Sequence, residues 1–241
     1  MLTNIDPADS WTPRHYTHLR HPSAGETALF LVRHGRTSAN HRQVLQGSSD
    51  YPLDDTGLRQ AALIANRVAQ EPAIDAIVSS PLQRALVTAR AIGDRLNIEP
   101  QVVPALTELD FGLYENRPFT DLLQEEPELA VRFQDLEDFD AGWPGGETRR
   151  SFYDRVWQAF TALLDDYHMH RVVVVAHGGV FGAFLAMVEG VSPNDIARYD
   201  IKNCSLTELR VTSDHTVVQL RNDVCHLDAL ADTLDATETE R

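Results

Sequence analysis

Apolar and polar positions divide the chain into alternating strand-like and helix-like segments. Two runs, from about Thr27 to Val32 and from Arg171 to Ala176, are unbroken and rich in branched or aromatic residues, as in strands buried on both faces. Each run ends on His-Gly, the first at Arg33-His34-Gly35 and the second at His177-Gly178-Gly179. The residues after each His-Gly look helical, the second helix being stopped by Gly190. Leu58, Ala62, Ala65 and Val68 recur at helical spacing and predict a helix over about 57–70 with Thr56 as N-cap. Residues 73–80 predict a strand, and Ser80-Pro81 supplies a cap and a first-turn proline for a helix over 81–97.

A short strand near Gln101 to Pro104 leads into a loop punctuated by Gly112, Asn116 and Pro118. Helices are expected over 119–139 and from about Thr148 to Tyr167. Residues 205–211 and 216–222, separated by a polar turn, read as a closing antiparallel hairpin. This strand–helix alternation predicts an α/β fold: three layers, with a largely parallel central sheet flanked by helices and a C-terminal antiparallel hairpin. The polar residues 1–26 read as an extension, 27–227 as one domain with 110–145 as a cap-like insertion, and 228–241 as an acidic tail.

At 241 residues and 43% hydrophobic content the chain can bury a full core. Its net charge of -15 would repel phosphate backbones and acidic membrane surfaces, so neither nucleic acid nor membrane is an expected partner. A small phosphorylated metabolite in a locally cationic pocket is the partner that fits, and a homo-oligomer stays open. Lys202 is the sole lysine beside twenty arginines, so arginine abundance alone carries no meaning and only placement counts. The N-terminus lacks a signal peptide's apolar core and no stretch approaches a bilayer span, which predicts a cytoplasmic protein. Counting outward from the hairpin turn sets Cys204 almost opposite Cys225, so a disulfide is geometrically conceivable, although two reduced, buried thiols are the ordinary cytosolic outcome.

Both histidines fall at carboxyl ends of strands, the edge where open α/β sheets bind ligands and where the amides opening a helix attract anions. Cleaving a phosphomonoester requires an in-line nucleophile, cationic donors for the three equatorial oxygens and an acid for the leaving group. His34 fits the nucleophile, since a neutral imidazole can carry a phosphoryl group. Arg33 and Arg84 offer planar forks, Arg84 lying three residues past Pro81 and so aimed back at the sheet edge. His177 completes the ring.

The segments LVRHGRTSAN, SSPLQRALVTA, LTELDFG and VVVVAHGG, in this order, resemble the motifs of the histidine phosphatase superfamily, which includes cofactor-dependent phosphoglycerate mutases. The resemblance spans about 27–227. It implies His34 as the phosphorylated histidine, Arg33 and Arg84 as phosphate ligands, His177 as transition-state stabiliser and Glu108 as proton donor, with Asp110 and Glu115 as rivals to Glu108. Asn40, Gln46 and Gly47 match further pocket positions, and Thr37 and Gly178 are assigned with them to substrate binding.

Mutases would carry a Glu-Arg-His-Tyr-Gly stretch and basic residues for a second phosphate, whereas this chain reads ELDFGLYENRP followed by eight carboxylates and one arginine between Asp121 and Asp140. That acidic block is either a solvated face or a lid that sets substrate preference. The departure favours the phosphatase branch: a metal-independent, cofactor-free phosphoric monoester hydrolase of the histidine acid phosphatase type acting through phosphohistidine. Thr37 nevertheless separates the chain from the largely exported Arg-His-Gly-x-Arg-x-Pro acid phosphatases. Asn203 and His226 also match phosphatase branches, with plain hairpin structure as the competing reading. Arg36 is expected to face solvent. The alternatives are a mutase-type phosphotransferase and a non-catalytic phosphate-binding or scaffold protein. His15, His18 and His21, and the pair His168 and His170, have superficially metal-like spacing without companion ligands, so no metal site is expected. Arg14, Arg20 and the extension's histidines could fold over the substrate entrance.

Overall fold

The computed structural model describes residues 24–195, 198–228 and 230. Six strands, β1 (Thr27–Arg33), β2 (Ala76–Ser79), β3 (Gln101–Val102), β4 (Arg171–Ala176), β5 (Leu206–Val211) and β6 (Thr216–Asp223), form one sheet in the order β3-β2-β4-β1-β5-β6. The first four in that order run parallel, while β5 is antiparallel to β1 and β6 to β5. This is the α/β architecture the sequence pattern predicts.

The unbroken apolar character of β1 and β4 reflects burial on both faces. Leu29 and Leu31 point into one core with Val172 and Val174, whereas Phe30 and Val32 point into the other with Val173 and Val175. The first core is closed by α6 (Arg149–Asp166) and α7 (Gly178–Val188), where the rings of Phe160 and Phe184 stack with centroids 3.6 Å apart. The second is closed by α2 (Asp55–Val68) and α3 (Gln83–Leu96) through Ile64, Val68, Ala85, Ala89 and Ile92. Truncating a buried Phe in such a core costs about 3–5 kcal/mol, so these layers fix the sheet edge from which His34 and His177 emerge.

Several boundaries differ from the sequence expectation. After His34 the chain makes only one helical turn, α1 (Ser38–His41), because Gly35 and Gly57 bring its backbone against the start of α2. A Cβ on Gly57 would lie 2.0 Å from the Arg36 carbonyl oxygen. The cap of α2 is Asp54, whose carboxylate accepts from the Gly57 amide; Thr56 lies inside the helix. α3 starts after Leu82, whose amide donates to the Ser80 hydroxyl at 3.3 Å, so Ser80 supports the turn before the helix instead of capping it. The helix expected over 119–139 is two, α4 (Phe119–Glu125) and α5 (Pro127–Gln134), since Pro127 has no amide to continue α4 and instead opens α5. Residues 135–141 then turn back, their carbonyls gathered by Arg149, which donates to Asp135 and Asp138 from Nη1 and to Phe133 from Nη2.

Cys204 and Cys225 are free thiols, Cys204 buried and Cys225 exposed. The ladder ends with Leu206 opposite Asp223, and Cys225 opens a 3-10 turn that leaves it, so the conceivable disulfide is absent and only one thiol is buried. Burial pushes the Cys204 thiol up from its ordinary value. No helix among the described residues is long and apolar enough to cross a membrane. The expectations for His15, His18, His21, Arg14 and Arg20 fall outside the described residues, as does nearly all of the acidic tail.

Candidate active site

Strand register assembles the site. Arg33 sits opposite Ala176, so His34 and His177 leave the sheet side by side at its carboxyl edge, their ring centroids 5.1 Å apart. The His34 amide donates to the Ala176 carbonyl, and that of Ser80, one residue past β2, to the Val175 carbonyl. His34 Nδ1 lies 2.8 Å from the Gly35 carbonyl oxygen. A carbonyl can only accept, so this contact places the proton on Nδ1 and leaves the Nε2 lone pair free to attack. His177 Nε2 lies 2.7 Å from Ser80 Oγ.

Both imidazoles are held neutral. Burial, followed by the Arg84 and Arg33 guanidiniums, keeps His34 well below its ordinary pKa, with only the Gly35 carbonyl opposing. Burial also dominates at His177, with Arg84, His34 and the more distant Arg33 and Arg155 acting in the same direction. A neutral imidazole is the form that can act as a nucleophile.

Arg33 Nη1 donates to the Ile201 carbonyl. Arg84 Nη1 and Nη2 donate to the Ser49 and Gly47 carbonyls, each at 2.7 Å. Arg33 Nε, Arg84 Nε and His177 Nδ1 remain buried without a protein partner. Buried polar groups in proteins are almost always paired, and a tetrahedral oxyanion would answer all three. Arg33 and Arg84 border a cavity of about 230 Å³ together with His34, Asn40, Gln46, Gly47, Glu108 and Gly178. Burial lowers both guanidinium pKa values, opposed most strongly by the Glu108 carboxylate, yet arginine stays charged.

Glu108 is fixed from two sides, Oε1 accepting from the Leu109 amide and Oε2 from the Gly179 amide at 3.0 Å. Its rivals have other tasks. Asp110 accepts from the Gly112 amide, and Glu115 accepts from Ser48 and Ser49 to hold the loop that Arg84 grips. Gly47 has φ +54, and a Cβ there would lie 2.2 Å from Glu115 Oε1. Gly178 opens α7 beside the Arg33 guanidinium, and a Cβ there would only reach ordinary contact with it at 3.4 Å. Thr37 is fully buried behind the cavity, accepting from the Asn40 amide and donating to Gln46 Oε1, so it supports the wall instead of forming it. Arg36 is pinned to Asp54 and Thr56, away from the cavity.

The histidine phosphatase superfamily (branch 1) profile matches residues 29–224. The chain belongs to the histidine phosphatase superfamily. It is 32% identical over 205 residues to the probable phosphoglycerate mutase GpmB of Yersinia pestis, covering 83% of this chain and 94% of that one. Among solved structures, a phosphoserine phosphatase from Entamoeba histolytica superposes with TM-score 0.74 at 27% identity, over 83% of this chain and 99% of the other. The alpha-ribazole phosphatase of Shigella flexneri gives TM-score 0.72 at 26% identity, over 81% and 96%. Branch 1 membership with such neighbours supports a phosphatase-type enzyme, and does not support the acid phosphatase subtype.

In this member of the histidine phosphatase superfamily several supporting residues carry weak sequence signals. Ser80 reads as a helix cap, yet its hydroxyl reaches His177. Asn203 Nδ2 donates to the His34 carbonyl and lies within 3.3 Å of Asn40 Oδ1, tying the His34 backbone to the pocket wall. His226 Nε2 contacts the Cys204 carbonyl, which is hairpin structure. Tyr199 lines the cavity mouth and has no motif around it in sequence. His168 and His170 lie against the Ala24 and His168 carbonyls, and no metal-ligand cluster occurs among the described residues.

Proposed function

We propose that this chain is a metal-independent phosphatase that hydrolyses small phosphomonoesters through a phosphohistidine at His34. One observation carries the reading: a neutral imidazole with a free Nε2 faces a small cavity shared with two buried guanidiniums and a positioned carboxyl group. His34 Nε2 attacks phosphorus while the ester P–O bond breaks. The carboxylic acid form of Glu108 gives its proton to the departing alkoxide. Glu108, now a carboxylate, takes a proton from water as that water attacks phosphorus. The P–N bond breaks, returning neutral His34, protonated Glu108 and inorganic phosphate. Arg33, Arg84 and His177 hold the equatorial oxygens throughout, each charge-assisted bond contributing roughly 1.5–3 kcal/mol.

A mutase reading draws on the relative named as a probable phosphoglycerate mutase. It would need cations for a second phosphate, and the turn after Glu108 offers Leu109, Asp110 and Phe111 instead. Quenching turnover of a labelled ester discriminates directly. Label retained on the protein in alkali, lost in acid and absent from His34→Ala supports phosphohistidine. Full activity of His34→Ala would refute the mechanism. Turnover of 3-phosphoglycerate to its isomer, dependent on the bisphosphate, would favour the mutase.

A further inference from the structure

A second, larger cavity of about 540 Å³ opens directly from the phosphate cavity. The two share Leu45, Glu108, Phe111, Gly178, Gly179 and Tyr199, so Glu108 stands at the junction where the scissile oxygen would lie. The far wall is aromatic. Trp143 packs edge-on to Phe111 with centroids 4.6 Å apart, and Phe133 and Phe119 approach the same indole at 4.9 and 6.0 Å. Leu123 and Phe119 of α4 form a half-open lip, 41% and 37% exposed.

This chamber is badly suited to a charged leaving group. Its only ionisable acid–base side chains besides Tyr153 and Tyr199 are Glu108 and Arg149. Arg149 is committed to the carbonyls of Phe133, Asp135 and Asp138, and Tyr153 donates to Asn194. A carboxylate or second phosphate entering here would meet no uncommitted cation on the described lining. The eight carboxylates between Asp121 and Asp140 raise the negative potential outside.

We propose, on the phosphatase reading above, that the substrates are phosphomonoesters of uncharged, bulky apolar or aromatic alcohols, and that sugar acids and amino acids are selected against. Phosphate is fixed by Arg33 and Arg84, and the alcohol's apolar body displaces water from the Trp143 wall.

The test uses esters of primary alcohols, so that apolar bulk is varied without switching to a phenol leaving group. For the full-length enzyme, kcat/KM for 2-phenylethyl phosphate should exceed that for phosphoserine and 3-phosphoglycerate by about 100-fold, and that for methyl phosphate by about tenfold or more. Leu123→Ser at the exposed lip, which leaves the core intact, should lower the ratio of the 2-phenylethyl to the methyl ester about threefold or more. Leu123→Arg should raise phosphoserine turnover relative to the 2-phenylethyl ester. Preference for phosphoserine or 3-phosphoglycerate, or ratios unmoved by both lip variants, would overturn the apolar assignment while leaving the phosphatase standing. Absence of turnover on every ester, with no alkali-stable label on folded protein, would instead overturn the phosphatase reading and this one with it.

Discussion

Gly179→Ala separates catalysis from folding more cleanly than removal of any charged group. Gly179 lies in the first turn of α7 with ordinary helical backbone, so alanine there is expected to stabilise the fold by several tenths of a kcal/mol. The added Cβ would lie 2.4 Å from Glu108 Oε1 and 3.1 Å from its carboxyl carbon. Ordinary contact begins at 3.4 Å, so the carboxyl oxygen must retreat by about 1 Å (3.4 minus 2.4). Glu108 is the movable partner, and its retreat strains the hydrogen bond from the Gly179 amide. A displacement of about 1 Å can cost on the order of 100-fold when a reacting group is involved, and general acid catalysis is worth about 10²–10⁴-fold. The loss should depend on the leaving group. An alkyl phosphate, whose alkoxide needs a proton, should lose about 30–100-fold in kcat, whereas p-nitrophenyl phosphate, whose phenolate leaves unaided, should lose less than about tenfold in its phosphorylation step. Single-turnover kinetics with both esters, beside thermal melts, provide the assay. Equal losses for the two esters, or a lowered melting temperature that accounts for the lost activity, would refute the assignment of Glu108 as proton donor.

Ser80→Ala removes the hydroxyl beside His177 Nε2 and should lower kcat/KM about 10- to 100-fold by freeing the ring to change tautomer, with Ser80→Thr restoring most of it; an unchanged rate would show that the contact does not orient His177. For pH, the lowered pKa values of His34 and His177 keep both neutral in the folded state below the ordinary value of 6.5, where the unfolded chain takes up protons. The unfolded state then binds more protons, so the two histidines' contribution to stability falls as pH drops through 6.5, with a slope of at most about 2.7 kcal/mol per pH unit, and His177→Gln should halve that component in urea melts. The same shifts predict that kcat/KM, corrected for the ester's own second ionisation, shows no acid limb centred near 6.5; such a limb would mean that His34 titrates normally.

The parts of the site legible in the sequence are those that lie on strands. The runs ending at His34 and His177 are read from continuous apolar character, and parallel pairing then dictates that the two rings meet. Arg84 can be placed because a short strand and a proline fix where α3 begins. The cap cannot, because the 119–134 periodicity survives across the Glu126-Pro127 break and only tertiary contacts set the angle between α4 and α5. Ser80 and Thr37 exchange roles with expectation for a related reason. A hydroxyl near a helix start has the same sequence signature whether it caps the helix, orients a histidine or supports a loop, and the choice is made by which strand end lies opposite. The aromatic wall is only faintly legible: residues 110–145 can be read as a leaving-group pocket with Trp143 and Phe119 against a substrate, but Phe111, Phe133 and Trp143 come from three separate segments and each alone reads more readily as core.

On the proposed function, two cavities with separate tasks would let a shared chemistry and a private substrate coexist in one chain. The phosphate cavity is built from strand ends and helix starts whose positions the whole core determines, so its donors are rigid and cost little reorganisation when charge develops on phosphorus. The apolar chamber adds the turn after Glu108 and the short helices of 119–134, which are linked to the core through Arg149 and the Trp143 cluster. Substitutions in that second layer can change which alcohol is accepted without moving Arg33, His34 or Arg84. Glu108 is the exception, because it faces both cavities. On the proposed mechanism Glu108 would therefore couple leaving-group fit to the chemical step, and an alcohol that fails to displace water from the aromatic wall should lose kcat as well as binding.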